Sequence, residues 1–166
     1  FVDAFYNHTV SSGQDAPSPV GTGDGLIISS SNPINPFGVT FSQNPVPGDP
    51  NSGYNFQTRL TGAGTRVHSY TTNTAQINAG LRGNFGQESS WIWDASVNYS
   101  HTKRDQRDTN EVDIPALQAA VDGGANIFNQ ADPSVGDQLK NGVKTPIYVF
   151  TQSTKQAQFN ASGELW

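Results

Sequence analysis

The stretch WIWDASVNYSH, residues 91–101, constrains the fold more than any other part of this sequence. Successive side chains of a strand point to opposite faces, so Trp91, Trp93, Ala95, Val97, Tyr99 and His101 share one side. Ile92, Asp94, Ser96, Asn98 and Ser100 share the other. The result is an apolar face against a polar one, with a period of two that no helix can use. A soluble sandwich strand and a membrane-barrel strand both fit this alternation, so the medium beyond the apolar face has to be read from the rest of the chain.

Three further segments alternate in the same way. The chain opens with FVDAFYN, where Val2, Ala4 and Tyr6 share a face. Around residues 66–85, Ala75, Ile77, Ala79, Leu81, Gly83 and Phe85 oppose Gln76, Asn78, Gly80, Arg82 and Asn84. Near the end, Ala157, Phe159, Ala161, Gly163 and Leu165 oppose Gln156, Gln158, Asn160, Ser162 and Glu164. Strands are expected near 1–8, 66–85, 91–104 and 145–166, the last three longer than the usual ~5–6 residues. Only GQESS joins the second and third strands, whereas long loops, 9–65 and 105–144, make the other two connections. Short turns at one end and long loops at the other mark an outer-membrane barrel with its long loops outside the cell. The expected fold class is therefore all-β: an antiparallel transmembrane β-barrel segment of four long strands and two long extracellular loops.

Composition agrees with a wet, strand-rich structure. Hydrophobic residues make up 34% of the 166, which would leave a soluble domain a thin core, and charged residues only 14%, which is too few for a typical disordered chain. Absence of Cys excludes disulfides and thiolate metal sites. No apolar run approaches the ~18 residues of a membrane helix, which says nothing against strands. Nine Lys and Arg against fourteen Asp and Glu leave no basic footprint, so nucleic acid is not an expected partner. The chain starts at Phe1 with no leader, and reads as a piece of something larger with no plug region in it.

The loops divide by composition. The first is dense in Gly, Pro, Asn and Ser and is expected to be built of turns. The second carries two short helix signals: Asp113 as cap before Pro115, with Gly123 as stop, and Asp132 as cap before Pro133, with Asn141-Gly142 as stop. Asn35, Phe37, Phe41, Tyr54 and Arg59 are candidates for capturing a small polar nutrient by stacking and hydrogen bonding, though loop packing explains each of them more simply than direct contact. Asp105, Asp108, Glu111 and Asp113 are hard ligands of the kind Ca²⁺ prefers, but Lys103, Arg104 and Arg107 lie among them, and local ion pairs explain the cluster without a metal. His8, His68 and His101 fall near strand ends or in loops, there is no G-x-S-x-G or H-E-x-x-H, and GTGDG at 21–25 lacks the Lys-Ser/Thr of a phosphate loop. No catalytic residue, metal or cofactor is assigned, and an enzyme is not expected.

Arithmetic favours the membrane. Trp91 to His101 spans about 33 Å of strand, which a ~40° tilt reduces to about 25 Å, the height of the apolar band of such barrels. Phe85, Trp91, Trp93 and Trp166 then mark the lipid interface at the short-turn end, with Tyr99, Tyr70 and Tyr148 towards the long-loop end. A register with Phe85 opposite Trp91 sets Gly83 opposite Trp93, so that the indole covers bare backbone. It also sets Arg82 opposite Asp94 on the lumen face, a structural ion pair of roughly 0.2–1 kcal/mol.

SNPINPFGV, TRVHSYTTNTAQINAGLRGNFG, SSWIWDASVNYSHTKRDQRDTN and the closing FNASGELW together resemble the barrel region of TonB-dependent outer-membrane receptors, in particular the proteobacterial group with an NPFG loop and a GLRG strand followed by a Trp-rich strand. The resemblance covers most of the chain and is strongest from Ser31 to Arg107 and at the end. It implies a larger barrel of about 22 strands, plugged by a separate domain, that imports a scarce nutrient (siderophore, cobalamin, saccharide or peptide) with energy passed from TonB through that missing plug. Outer-membrane lipid, the TonB complex and a small nutrient are the partners it implies. A secreted adhesin or carbohydrate-binding module, or a passive porin, is the alternative that the residues leave open.

Overall fold

The computed structural model describes residues 1–86 and 90–164. In chain order its strands are β1 (Val2–Asp15), β2 (Pro19–Gly21), β3 (Thr40–Phe41), β4 (Ser52–Tyr54), β5 (Gln57–Arg59), β6 (Arg66–Asn84), β7 (Ile92–Thr109), β8 (Glu111–Val112), β9 (Val143–Lys144) and β10 (Ile147–Ser162). Two helices, α1 (Ile114–Asp122) and α2 (Pro133–Leu139), lie between β8 and β9. The fold is predominantly antiparallel β, and its largest sheet has the order β1-β6-β7-β10, an up-and-down meander open at both edges. The first long strand runs on to Asp15, beyond the stretch near 1–8 that alternation marks, because its later residues still find partners at the start of β6. Trp166 lies outside the described residues.

The long strands keep one register over their length. The Phe85 N–H donates to the Trp91 carbonyl (3.1 Å), as the sequence predicts. Thr74 and Thr102 then meet through their hydroxyls (3.1 Å), and His68 reaches Asp108. On the other side of β7, Asn160 bonds Asp94 and Ser153 bonds His101. Just before β1, Phe1 exchanges both backbone hydrogen bonds with Gly80 (2.9 and 3.0 Å). Because side chains alternate with period two, a constant register keeps each face of the sheet chemically uniform.

The chain forms two compact units, a sheet unit of residues 1–11, 70–106 and 148–166 and a loop unit of residues 12–69 and 107–147. The sheet unit has no buried apolar core among its described residues. Val2, Tyr6, Leu81, Val97 and Phe159 are all exposed, Leu81 to 70% and Val97 to 60%.

Among the described residues, the loop unit holds all of the buried apolar ones. Val20, Leu26, Ile28 and Leu60 from the first connection pack with Leu117, Val121, Ile127 and Leu139 from the second. Both helices form where their caps predict. Asp113 accepts from the Ala116 N–H (3.4 Å) and Asp132 from the Ser134 N–H (2.9 Å), each with a proline in the first turn. Polar staples join the two connections: Gln118 bonds both backbone groups of Ile27 (2.8 and 2.9 Å), and the Gln130 amide takes the Gly62 N–H and returns a bond to the Arg59 carbonyl. Gly136 sits so close to Gly62 that a Cβ on it would meet the Gly62 carbonyl oxygen at 2.9 Å. The glycine- and proline-rich first loop, expected to be turns alone, contributes half of a core because its scattered apolar residues have partners only in the distant second loop.

Candidate functional site

Alternation gives the sheet two chemically distinct faces. On one, Trp93 lies over Gly83, where an added Cβ would meet the indole at 3.0 Å, and its ring centroid is 6.4 Å from that of Phe85. Trp91 covers Gly163 beyond the end of β10 in the same way. Alternation alone does not predict that second cover, since nothing local ties residue 91 to residue 163. Tyr99, Val97 and Ile77 continue this face towards the far end of the strands. Tyr70 departs from the expected aromatic belt. The Arg104 guanidinium stands 4.4 Å above its ring, and by alternation from Thr74 and Thr102 both belong to the polar face. Tyr148, even-numbered like Gln156, falls on the polar face by the same alternation.

The polar face is built of amides and hydroxyls. Gln76 and Asn78 of β6, Ser96 and Asn98 of β7, and Gln156 and Gln158 of β10 line one hollow. Phe1 adds an aromatic ring against Gly80 on this side. The expected Arg82–Asp94 ion pair does not form. Asp94 instead accepts from Asn160 Nδ2 (2.9 Å), and no Arg82–Asp94 contact occurs among the ion pairs of the described residues. Opposed positions allow such a pair, but in an exposed setting it gains little over hydration, and a neighbouring amide reaches the carboxylate without ordering a long arginine.

The loop candidates divide by what they already bind. Asn35 is 8% exposed and committed to the fold: its Nδ2 donates to the Ser29 and Val39 carbonyls (3.0 and 2.8 Å), and its Oδ1 accepts from the Phe37 N–H. Phe41 belongs to a ring cluster with Phe56 and Phe128, centroids 5.1–5.8 Å apart. Phe37 caps that cluster, packed edge-on against Phe41 and Phe128 yet 60% exposed. Arg59 donates to the Pro17 carbonyl (3.0 Å), and Tyr54 is half exposed. The structure therefore unites Asn35, Phe37 and Phe41 around one loop, with Phe37 offering free aromatic surface.

The acidic cluster disperses onto separate cations. Asp105 meets Lys103 (3.4 Å), Glu111 meets Arg66 (3.7 Å), Asp113 meets Lys144 (3.2 Å), and Asp108 meets His68 (2.8 Å). No group of three potential metal ligands occurs among the described residues. His68 is a feature that no sequence motif marks. Its Nδ1 faces Asp108 and its Nε2 faces Asp15 Oδ2 at 3.1 Å, so only the doubly protonated ring can donate to both. The hydrogen bond to Asp108, with help from Asp15, raises the His68 pKa above its ordinary value against an opposing desolvation. His68 lies well beyond the 75–85 stretch that faces Trp91–His101. Lys144 and the Ala116 N–H hold the Asp113 carboxyl below the usual range.

No protein-family model, curated protein or solved structure matches the chain.

Proposed function

We propose that this chain forms four strands and two outer loops of the wall of a TonB-dependent outer-membrane transporter that binds and imports a scarce nutrient. One observation carries the reading: the sheet has a face of exposed Val2, Leu81, Val97, Tyr99 and Phe159 that no part of the described chain buries. An exposed apolar surface of this extent calls for lipid or a protein partner. The Trp91 and Trp93 rings stand at the short-turn end of that face, and the distance to His101, about 25 Å when tilted, fits a bilayer's apolar band. At 18 residues β7 reaches about 55 Å, so it rises well past the hydrocarbon on the long-loop side.

In this reading the polar face looks into the lumen, and the open edges of β1 and β10 pair with further strands of the same wall, since an unpaired edge is not tolerated in hydrocarbon. The chain contributes wall and loops; plug rearrangement driven through TonB belongs to parts outside it. The test is a matched pair of substitutions in the protein that carries this chain, refolded into lipid vesicles. Val97→Arg at mid-membrane is expected to cost ~2–4 kcal/mol and Asn98→Arg, facing the lumen, far less. Equal tolerance at the two positions would remove the membrane from the account and return the sheet to a secreted adhesin or carbohydrate-binding module.

A further inference from the structure

Between the charged ends of the polar face, strands β6, β7 and β10 carry no formal charge, and Asp3, between Phe1 and Phe5 on the edge strand β1, is the one charge that alternation adds. The hollow there is lined by Gln76, Asn78, Ser96, Asn98, Gln156 and Gln158, two residues from each of three adjacent strands. Alternation adds Thr74, Ser100, Thr102, Gln152 and Thr154 to the same uncharged surface. Among the described residues, the side chains of Gln76, Asn78, Ser96, Asn98 and Gln156 make no hydrogen bond to another protein group. Gln158 spends one N–H on Asn160 (3.3 Å). Five amides therefore present planar sets of donors and acceptors outwards, each able to bond two neighbouring groups at once.

We infer that this face is a binding wall for a neutral, polyhydroxylated ligand, a saccharide rather than an anionic metal chelate. The inference rests on the transporter reading, which supplies the lumen, and narrows its cargo. A hydroxyl both donates and accepts, so a vicinal diol is the natural complement of a carboxamide edge, and rows of amides on three strands meet successive diols along a sugar chain. An anionic chelate calls for Arg or Lys in bidentate or clustered form. On this face the nearest cations are Arg82 beyond its inner end and Arg104, which is engaged over Tyr70, while Lys155 points to the opposite face by alternation. Phe1, 54% exposed against Gly80, and Phe5, on the same side by alternation, add flat aromatic surface for the C–H faces of sugar rings. The hollow, about 230 Å³, is smaller than the ~300–1,000 Å³ of a complete ligand pocket, as one wall of a shared lumen must be.

The experiment uses the full-length protein in detergent, applied to an array of neutral and acidic oligosaccharides, with a ferric siderophore mixture measured in parallel. Binding to neutral members is expected. Asn98→Ala with Gln156→Ala should weaken that binding on the order of tenfold, the loss of two hydrogen-bonding groups, while the thermal transition stays in place. Siderophore binding with no neutral glycan bound overturns the inference but leaves the transporter intact. Glycan binding that the double variant does not change also overturns it, by placing recognition elsewhere, as does a variant that shifts the thermal transition alone, which marks the face as a seat for protein. Heat-modifiable migration of the same sample on gels reports barrel formation independently, so that failure of the transporter reading shows itself separately.

Discussion

The sheet unit and the loop unit solve opposite problems with similar residues. The loop unit turns its apolar side chains inward: Leu26, Ile28, Leu60, Leu117, Ile127 and Leu139 are all within 1% of complete burial. The sheet unit turns Leu81, Val97 and Phe159 outward and buries nothing comparable. A chain with 34% hydrophobic residues can stock one core, and here the connections have it. The lesson is that the part of this molecule that looks like loop buries its own apolar side chains, whereas the part with the regular structure leaves its apolar side chains uncovered.

That contrast can be broken by substitution. Leu117→Ala removes a fully buried side chain at the centre of the loop core and should cost about 2–5 kcal/mol by denaturant unfolding. If it is silent, the loop unit has no cooperative core. Val97→Arg should cost ~2–4 kcal/mol in lipid vesicles and almost nothing in detergent-free buffer, where residue 97 already faces water; a penalty in both would mean that protein covers it. Gly136→Ala drives a methyl towards the Gly62 carbonyl and should cost about 1–3 kcal/mol as overpacking, whereas Gly23→Ala, with open space around it, should cost less.

The smallest effect sharpens the comparison through pH. His68 has a folded pKa above the ordinary 6.5, so its stabilisation is complete below that value and is lost as pH rises through the folded pKa. Unfolding measured upwards from about pH 5, in the range where histidine titrates, should show stability falling once the pH rises above the ordinary histidine pKa, with the slope abolished in His68→Gln. An NMR titration placing His68 at or below 6.5 would contradict the doubly bonded geometry.

What could be read in advance follows the range of the interactions. Period-two alternation is local, and it yielded the four long strands and their faces but none of the short strands β2–β5, β8 and β9 of the connections. The short GQESS link set the Phe85–Trp91 register, and with it the cover of Gly83 by Trp93. The helix caps at Asp113 and Asp132 act within their own first turns and were equally visible. The loop core was not, because Leu26 and Ile28 carry no periodicity and their partners Leu117 and Val121 lie far along the chain. Asp94 shows a subtler limit: alternation gave its face and register its opposite number, yet its hydrogen bond went to Asn160 on the other neighbouring strand. Asn35 has a ligand-binding composition around it and a purely structural set of bonds, a distinction only coordinates can draw.

The sharing of one core between two connections has a consequence for how the protein is made. A polypeptide emerging or translocating from its N-terminus presents Val20, Leu26, Ile28 and Leu60 long before Leu117, Val121, Ile127 and Leu139 exist to receive them. Contacts of such high sequence separation form late and slowly, so the first connection must travel as an open, sticky segment until residue 139 has followed it. Shielding of exposed apolar chain before folding would thus matter for the connections as much as for the strands, and a chain cut short between Ser69 and Leu117 would leave that segment permanently without its other half.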